Sequence, residues 1–374
     1  METSLQEFRI GILGAGGFSR FSVDTFLSVA SVSISGVYDV NSENTNSFAD
    51  KFKCRIFNSQ EELLADSETD IIYISTPPYL HYQNSKDCLL AGKHVICEKP
   101  AALKSREVVE LISIADAKNL LYVVNLMQRY NPLFQKVKSI VDQKILGEFL
   151  HGYFENYASD ESLDEAHWMW DEKKSGGIFI EHAVHFFDLI EGWLGTGELI
   201  ASQKITKQGL TKEIWPEVQA ICKYRNGLFN FYHGFHQADR MDRQELKLVF
   251  ETGEVTLFEW VPSRLLLKGL VTNKNIKALA DLFPEGKIDI VKSFNGKDKE
   301  YRSYFVDRHA DQSIALEVGD NDLKSTIYQQ LLTDMMFDQI QWLKDRNHER
   351  RITELNALNS VIMAEKANNM AVIL

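Results

Sequence analysis

The first third of the chain alternates between short apolar runs and longer stretches with helical periodicity. The apolar runs predict strands at residues 8–13, 32–38, 55–57, 71–75, 94–97 and 120–124. Between them, apolar positions with a period near 3.6 predict helices at residues 18–29, 43–52, 61–66, 81–91 and 106–118. Strands separated by helices of this length are joined by right-handed crossovers. This part of the chain is therefore predicted to form a parallel sheet with helices packed on it.

The pattern changes after residue 124, where longer alternating segments follow one another closely. They predict strands at residues 148–157, 200–208, 217–224, 228–236, 245–251 and 254–260. Asn226-Gly227 is a typical hairpin turn, so neighbouring strands are expected to pair antiparallel. No element is predicted for residues 271–299, and two helices are predicted at residues 326–343 and 354–368. The prediction is an α/β protein, with a parallel-sheet domain at residues 1–125 and an α+β domain built on a large meandering sheet at residues 126–374.

One predicted strand of the second domain is almost wholly aromatic on one face, which carries Phe229, Phe231, His233 and Phe235. Packing in the core is one interpretation of this face. A subunit interface is the other, because an open sheet must cover its apolar face. From the second interpretation we predict a homodimer or homotetramer that forms through the C-terminal sheet.

Length and composition bound the class of protein. A chain of 374 residues with 44% hydrophobic and 25% charged residues is expected to fold into two globular domains. The net charge of −12 argues against a surface for nucleic acid or anionic membrane. Four cysteines without CxxC spacing, no secretory signal pattern at the start and no apolar run of membrane-spanning length favour a cytoplasmic protein. Without thiolate pairs or an HExxH motif, no metal site is predicted.

The first predicted strand runs directly into the glycine-rich turn 14–19, and a helix follows. Gly14 permits the tight turn, Gly16 lets the backbone approach a pyrophosphate, and Ser19 is small enough for close packing of helix and strand. The start of the helix offers unpaired N–H groups to phosphates. Asp39 ends the second strand, where a carboxylate can bind the adenosine ribose hydroxyls. This combination predicts a dinucleotide site that consists of Gly14, Gly16, Gly17, Phe18, Ser19 and Asp39.

Two further loops follow strands of the parallel sheet at the carboxyl edge, where ligands bind in open α/β sheets. The first precedes a helix that begins near His81, which we interpret either as a site residue or as a surface residue of the first helical turn. In the second loop, Lys99 could donate to a substrate hydroxyl and stabilise the alkoxide that develops as hydride leaves. The cofactor-binding residues predicted here are Ser75, Thr76, Pro77, His81, Glu98 and Lys99.

An apolar helix in the second predicted domain carries one polar stripe, formed by Glu181, His185 and Asp188. Buried polar groups are costly unless they are paired or face a cavity. His185 has the pKa range of a general base for an alcohol, and Glu181 could fix its tautomer or share the proton. The alternative is a structural cluster in which the three side chains satisfy one another and tie the helix to the sheet.

In their order along the chain, these motifs resemble the glucose–fructose oxidoreductase/inositol dehydrogenase (Gfo/Idh/MocA) family. The resemblance rests on the glycine turn, Asp39, Thr76-Pro77, the segments 98–100 and 128–132, and the 176–188 helix. It implies an N-terminal NAD(P)-binding Rossmann domain and a C-terminal α+β domain with a large, predominantly antiparallel open sheet. It also implies oxidation or reduction of a hydroxyl-bearing carbon in a sugar, a cyclitol or a related compound.

The resemblance assigns Lys99 and His185, one from each predicted domain, as catalytic residues. Glu181 stands where many members of the family have Asp, and its side chain is one methylene longer. We therefore predict an NAD(P)-dependent oxidoreductase with the catalytic residues Lys99, His185 and Glu181. NAD is favoured over NADP because Asp39 repels a 2′-phosphate and no Arg or Lys follows at positions 40 and 41. The alternatives are a dinucleotide-binding regulator without catalysis and a hydrolase that uses bound NAD transiently to cleave a glycoside.

Overall fold

The computed structural model describes residues 7–206, 214–225, 227–303, 305–320 and 323–374. Within these residues the chain packs as two compact units. Unit 1 comprises residues 7–130, 168–188 and 329–366, and unit 2 comprises the described parts of residues 131–167, 189–328 and 367–374. The predicted boundary between the two domains, after residue 125, stays a prediction.

Unit 1 contains a six-stranded sheet whose strand pairs are all parallel. Its strands are β1 (Phe8–Leu13), β2 (Val32–Tyr38), β3 (Arg55–Ile56), β4 (Ile71–Ile74), β5 (His94–Cys97) and β6 (Tyr122–Val124). Their order across the sheet is β3-β2-β1-β4-β5-β6, which confirms the predicted parallel sheet. The side chains of β4 and β6 are buried throughout, and this burial explains why these strands are continuous apolar runs in the sequence.

The α-helices of the described residues lie close to the predicted ones in the first third of the chain. They are α1 (Gly17–Phe26), α2 (Ser42–Phe52), α3 (Gln60–Ala65), α4 (Pro78–Leu90), α5 (Ser105–Lys118), α6 (Pro132–Asp142), α7 (Glu172–Ser175), α8 (Val184–Leu194), α9 (Asn273–Leu282), α10 (Lys324–Lys344) and α11 (Glu354–Met370). A π-helical turn, Phe179–Ala183, leads directly into α8. None of the helices described is both long and apolar enough to cross a membrane.

Two helices differ in whether a residue near in sequence or one far away binds the N–H groups at their start. Ser59 caps α3 by accepting a hydrogen bond from the Glu62 N–H. Ser105 is also a residue type that often caps helices, but it is the first residue of α5, and Lys104 occupies the cap position. The N–H and the hydroxyl of Ser105 both donate to Glu365, 260 residues away in sequence. At the start of α5 this tertiary partner acts beside a local one, because the Lys104 N–H donates to Glu107 at 3.2 Å.

Unit 2 contains a ten-stranded sheet that is mostly antiparallel, as predicted. Its strands are β7 (Phe149–Ser159), β8 (Glu198–Ile205), β9 (Glu217–Tyr224), β10 (Gly227–Gln237), β11 (Arg243–Phe250), β12 (Gly253–Phe258), β13 (Arg264–Val271), β14 (Lys287–Ser293), β17 (Gln312–Gly319) and β18 (Val372–Ile373), in the order β14-β17-β13-β12-β11-β7-β10-β9-β8-β18. Among the described strand pairs of this ten-stranded sheet, β7–β10 and β8–β18 are parallel and the others are antiparallel. β15 (Glu300–Ser303) and β16 (Val306–His309) form a separate hairpin.

The unassigned segment 271–299 contains α9 and β14. Two predictions fall partly outside the described residues: Asn226 of the hairpin turn, and the last two positions of the strand at 200–208.

The aromatic face of β10 belongs to the core of a single chain. Phe229, Phe231 and His233 are fully buried, and Phe235 nearly so. The interpretation of these side chains as a subunit interface is therefore wrong. Because side chains alternate along a strand, the opposite face of β10 carries Tyr232, which is half-buried, together with the more exposed Leu228.

Candidate cofactor and catalytic site

The turn between β1 and α1 has the geometry of a phosphate cradle. Gly14 has a φ of +99°, and a Cβ there would lie 2.8 Å from the carbonyl carbon of Ser75, so both the backbone conformation and the space require glycine. A Cβ at Gly16 or Gly17 would meet no atom within 4 Å. Packing within the chain therefore does not require these two glycines. They leave open space beside the first N–H groups of α1, and N–H groups at the start of a helix are suited to bind phosphates.

The other side chains of the turn differ in exposure. Ser19 is buried, as close packing of α1 on the sheet requires, whereas Phe18 is exposed.

Asp39 lies just past β2, and two backbone groups hold its carboxylate. Oδ2 accepts a hydrogen bond from the Ala15 N–H at 2.7 Å, and Oδ1 accepts one from the Asn41 N–H at 2.8 Å. A carboxylate has about four acceptor positions, so lone pairs remain for ribose hydroxyls. The next side chain, Val40, is 91% exposed and adds no positive charge.

The loop after β4 packs against the glycine turn. The Ser75 hydroxyl donates to the Gly14 carbonyl at 2.9 Å. The Thr76 hydroxyl accepts from Asn84 Nδ2 of α4 at 2.9 Å, and Pro77 occupies the cap position of α4. These contacts hold the loop against the glycine turn and the start of α4.

His81 lies inside unit 1, with only 1% of its surface exposed, so its interpretation as a surface residue is wrong. Its Nε2 is 2.6 Å from the Thr76 carbonyl oxygen, and its Nδ1 is 2.6 Å from the Pro100 carbonyl oxygen. Burial lowers the pKa of His81. The ring thus lies between the two loops that were predicted to form the site.

The loop after β5 carries Glu98 and Lys99 in different roles. Glu98 Oε1 accepts hydrogen bonds from the Tyr73 hydroxyl at 2.6 Å and from Asn125 Nδ2 at 2.9 Å, and burial raises the pKa of this carboxyl. Lys99 extends to Glu181, where its Nζ donates to the backbone oxygen at 2.7 Å and to Oε1 at 2.5 Å. The Lys99 ammonium is therefore held at two points.

Glu181 lies in the π-helical turn, and His185 lies in the first turn of α8. The sequence predicted a regular helix here, whereas the structure has a wider turn of a kind that is frequent at functional sites. His185 is 3% exposed, and its pKa is well below the ordinary value because of its burial and the nearby charge of Lys99. A neutral imidazole is the form that accepts a proton.

Asp188, the third residue of the polar stripe, has a structural role. Its carboxylate accepts two hydrogen bonds at 2.8 Å from the Arg129 guanidinium and one at 2.8 Å from Asn356 Nδ2. Sequence reasoning placed Arg129 in a motif without a role, and it missed Asn356 because nothing local marks that residue. Because these partners lie outside the stripe, the interpretation in which Glu181, His185 and Asp188 satisfy one another is wrong for Asp188.

Unit 1 brings together Lys99, Glu181 and His185, although the sequence assigned them to two domains. The glycine turn and Asp39 belong to the same unit. Among the residues that the structure describes, no group of three or more His, Cys, Asp or Glu side chains is arranged to hold a metal ion.

Comparison with known proteins identifies the class of this fold and site. Residues 8–126 match the sequence model of an oxidoreductase family with an NAD-binding Rossmann fold. Residues 134–256 match the GFO/IDH/MocA C-terminal domain. The chain belongs to the GFO/IDH/MocA oxidoreductase family.

Individual relatives are similar to this chain over only part of its length. An uncharacterised oxidoreductase from Synechocystis is 32% identical over 148 residues, 39% of this chain and 40% of the relative. Glucose-6-phosphate 3-dehydrogenase from Bacillus subtilis is 26% identical over 186 residues, 49% of this chain and 52% of the relative. These matches span about half the length of each relative or less.

The fold is also that of the WlbA dehydrogenase from Bordetella pertussis, solved with NADH and UDP-GlcNAcA. The two structures superpose with a TM-score of 0.76 at 18% identity, over 97% of this chain and 96% of that one.

Proposed function

We propose that the protein is an NAD(P)-dependent dehydrogenase or reductase. It transfers hydride between nicotinamide and a secondary alcohol carbon of a sugar, a cyclitol or a related polyhydroxylated compound. The observation that carries this proposal is the Lys99–Glu181 pair beside a buried His185 of lowered pKa, in the same unit as the glycine turn. A charged donor and a neutral base are what the oxidation of an alcohol requires.

Each of the three side chains has a distinct task. His185 accepts the hydroxyl proton of the substrate, and its lowered pKa keeps it neutral at physiological pH. Lys99 stabilises the negative charge that develops on the substrate oxygen. Glu181 holds the Lys99 ammonium through its carboxylate and its backbone oxygen. When bound, the nicotinamide supplies the hydride acceptor or donor.

The proposed cofactor site is built on the glycine turn, with the pyrophosphate at the start of α1. The open space at Gly16 and Gly17 supports this position, and Asp39 would take the adenosine ribose. NAD is proposed over NADP because the Asp39 carboxylate repels a 2′-phosphate and the exposed Val40 supplies no compensating cation. The proposed cofactor-binding residues are Gly14, Gly16, Gly17, Phe18, Ser19, Asp39, Ser75, Thr76, Pro77, His81, Glu98 and Lys99.

The proposed substrate class also draws on similar proteins, which include a sugar-phosphate dehydrogenase and a dehydrogenase solved with a nucleotide sugar. The test is a panel of polyols, sugars, sugar phosphates and nucleotide sugars, assayed for NADH or NADPH formation. Reduced cofactor that forms only with substrate supports the proposal. Glycoside cleavage without net reduction of the cofactor would show that the protein is a hydrolase. NAD binding without turnover of any compound in the panel would favour a dinucleotide-binding regulator.

A homodimer or homotetramer through the C-terminal sheet remains proposed, now through the sheet face opposite the buried phenylalanines. This face carries Tyr157 and Tyr232, whose ring centroids are 5.0 Å apart, and Leu228, which is 45% exposed. Sedimentation at micromolar concentration tests the assembly, and a monomer would refute it. The cytoplasmic location is proposed from cysteine usage, since all four cysteines are thiols.

A further inference from the structure

Arg20 lies in the first turn of α1, immediately after the glycine turn, and its side chain is half-buried. Its backbone N–H donates to the Gly16 carbonyl, and its guanidinium extends to the start of α2, where Nη2 donates to Asn44 Oδ1 at 3.3 Å. Within the described part of the chain, no carboxylate forms an ion pair with this guanidinium, and its Nε is buried without a hydrogen-bond partner. Because buried charges are normally paired, a cation with only a neutral amide as its partner indicates an anion that the chain itself does not supply.

A short series of hydrogen bonds connects Arg20 to the acid that was assigned to the adenosine ribose. Asp39 Oδ1 accepts from the Asn41 N–H at 2.8 Å, and Asn41 Oδ1 accepts from the Asn44 N–H at 3.3 Å. Asn44 is in turn the residue that the guanidinium of Arg20 bonds. The guanidinium is therefore held beside the loop that joins β2 to α2, which carries the proposed ribose-binding carboxylate.

The chemistry of a guanidinium at this position matches a phosphate on the ribose. NADP differs from NAD by a phosphate on the 2′-oxygen of the adenosine ribose, and in Rossmann domains an arginine near the ribose accommodates that group. The contact with Asn44 engages one N–H of Arg20, and a guanidinium has several more, arranged to bind phosphate oxygens in pairs. Val40, directly after the acid, supplies no cation, whereas α1 supplies one.

We infer that Arg20 is the cation of the adenosine end of the proposed cofactor site, and that it lets the protein bind NADP as a second cofactor beside NAD. This inference rests on the proposed cofactor site, because the position of the ribose is taken from Asp39. The Asp39 carboxylate still repels a 2′-phosphate, so NAD remains the preferred cofactor. The positive charge of Arg20 opposes that repulsion and reduces the preference.

A contact with the pyrophosphate is the other role that a cation on α1 could have. The pyrophosphate is common to NAD and NADP, so this role would affect both dinucleotides equally, whereas a contact with the 2′-phosphate affects NADP alone. The hydrogen bond to Asn44 favours the second role, because it directs the guanidinium of Arg20 to α2 and away from the first N–H groups of α1.

The test measures the affinities for NAD and NADP by isothermal titration calorimetry, without substrate. Arg20→Met should weaken NADP binding by about tenfold to a hundredfold, the scale of a hydrogen bond between charged groups, and change NAD affinity by roughly threefold or less. Arg20→Gln, which keeps a hydrogen-bond donor for Asn44, should behave in the same way and covers the case in which the methionine variant does not fold. Lys51→Met is the matched control, because Lys51 is a cation of α2 that already pairs with Asp24 of α1, and it should leave both affinities unchanged.

A double variant tests whether Arg20 acts on the same group as Asp39. Asp39→Ala removes the repulsion and should bind NADP more tightly than wild type does. Adding Arg20→Met to Asp39→Ala should remove most of that NADP affinity, because the remaining attraction to the 2′-phosphate comes from Arg20. Retention of the full NADP affinity in the double variant would overturn the inference.

The remaining outcomes separate this inference from the proposed cofactor site. If wild type binds NAD but no NADP, or if the Arg20 variants keep the wild-type ratio of the two affinities without loss of either, the inference is wrong and the cofactor site stands. An equal loss of NAD and NADP in the Arg20 variants would also overturn it, in favour of a pyrophosphate contact. A wild-type protein that binds neither dinucleotide contradicts the proposed cofactor site, and this inference fails with it.

Discussion

Removing the Lys99 ammonium should affect catalysis far more than neutralising its partner Glu181. Lys99→Met deletes the donor that stabilises the substrate oxygen, and loss of one such donor typically costs a hundredfold or more in kcat. That factor corresponds to about 2.7 kcal/mol of transition-state stabilisation. NAD affinity should stay close to wild type, because the phosphate and ribose contacts lie at the glycine turn and Asp39.

Glu181→Gln is expected to cost much less, for a reason visible in the structure. The Lys99 ammonium has two acceptors on residue 181, the backbone oxygen at 2.7 Å and the side-chain oxygen at 2.5 Å. The substitution leaves the first unchanged and turns the second from a charged into a neutral acceptor. Since such bonds differ by about 1 kcal/mol, the loss in kcat should be roughly tenfold or less.

The assay is steady-state NADH formation with the substrate found in the panel, together with NAD affinity from fluorescence. Lys118→Met is the matched control, because Lys118 also donates to a backbone oxygen, that of Leu90, but lies on the exposed end of α5. A Glu181→Gln variant as impaired as Lys99→Met would refute this reasoning and make Glu181 a proton carrier. A Lys99→Met variant with nearly wild-type kcat would remove Lys99 from the reaction.

Three further predictions concern the cofactor, the base and the buried ion pair. Asp39→Ala should weaken NAD binding and reduce the preference over NADP, as measured by titration with both cofactors. Because the pKa of His185 is lowered, the base remains neutral and kcat/KM should stay level as the pH falls from 7.5 to 6.5. In Lys99→Met the positive charge that lowers the pKa of His185 is gone. The acidic limb of the kcat/KM profile should therefore move to higher pH in this variant. Arg129→Met should reduce the free energy of unfolding by about 3–5 kcal/mol in urea titrations, because it leaves the buried Asp188 carboxylate without its cation.

Matched surface variants set the baseline for these measurements. Asp24→Ala removes a carboxylate of α1 that pairs with Lys51, and it should leave NAD affinity unchanged. Arg55→Met removes a half-exposed guanidinium that pairs with Glu62 and Asp66, and each such surface pair is typically worth about 1 kcal/mol or less. If Arg129→Met is no more damaging than Arg55→Met, the Asp188 pair contributes little to the fold. If kcat/KM falls steadily from pH 7.5 to 6.5, His185 is not a base of lowered pKa.

Local patterns were enough to predict the parallel sheet and the mostly antiparallel second sheet. Strands that are buried on both faces are continuous apolar runs, and a strand that leads into a glycine turn and a helix has a fixed spacing to the acid after the next strand. The glycine at position 14 follows from local geometry too, since its positive φ excludes other residues. These features depend on neighbours within about one strand–helix–strand unit, so the order of residues specifies them.

Only the tertiary structure decided which polar groups meet. Lys99 and Glu181 are 82 residues apart in sequence, and the partners of Asp188 are 59 and 168 residues away. The π-helical turn at Glu181 and the burial of Phe229 likewise depend on what packs against them. Contacts at such separations depend on how whole elements pack, and a residue's type does not specify its distant partner. The sequence thus determined which residues are chemically competent, and packing determined that Lys99, Glu181 and His185 belong to one compact unit.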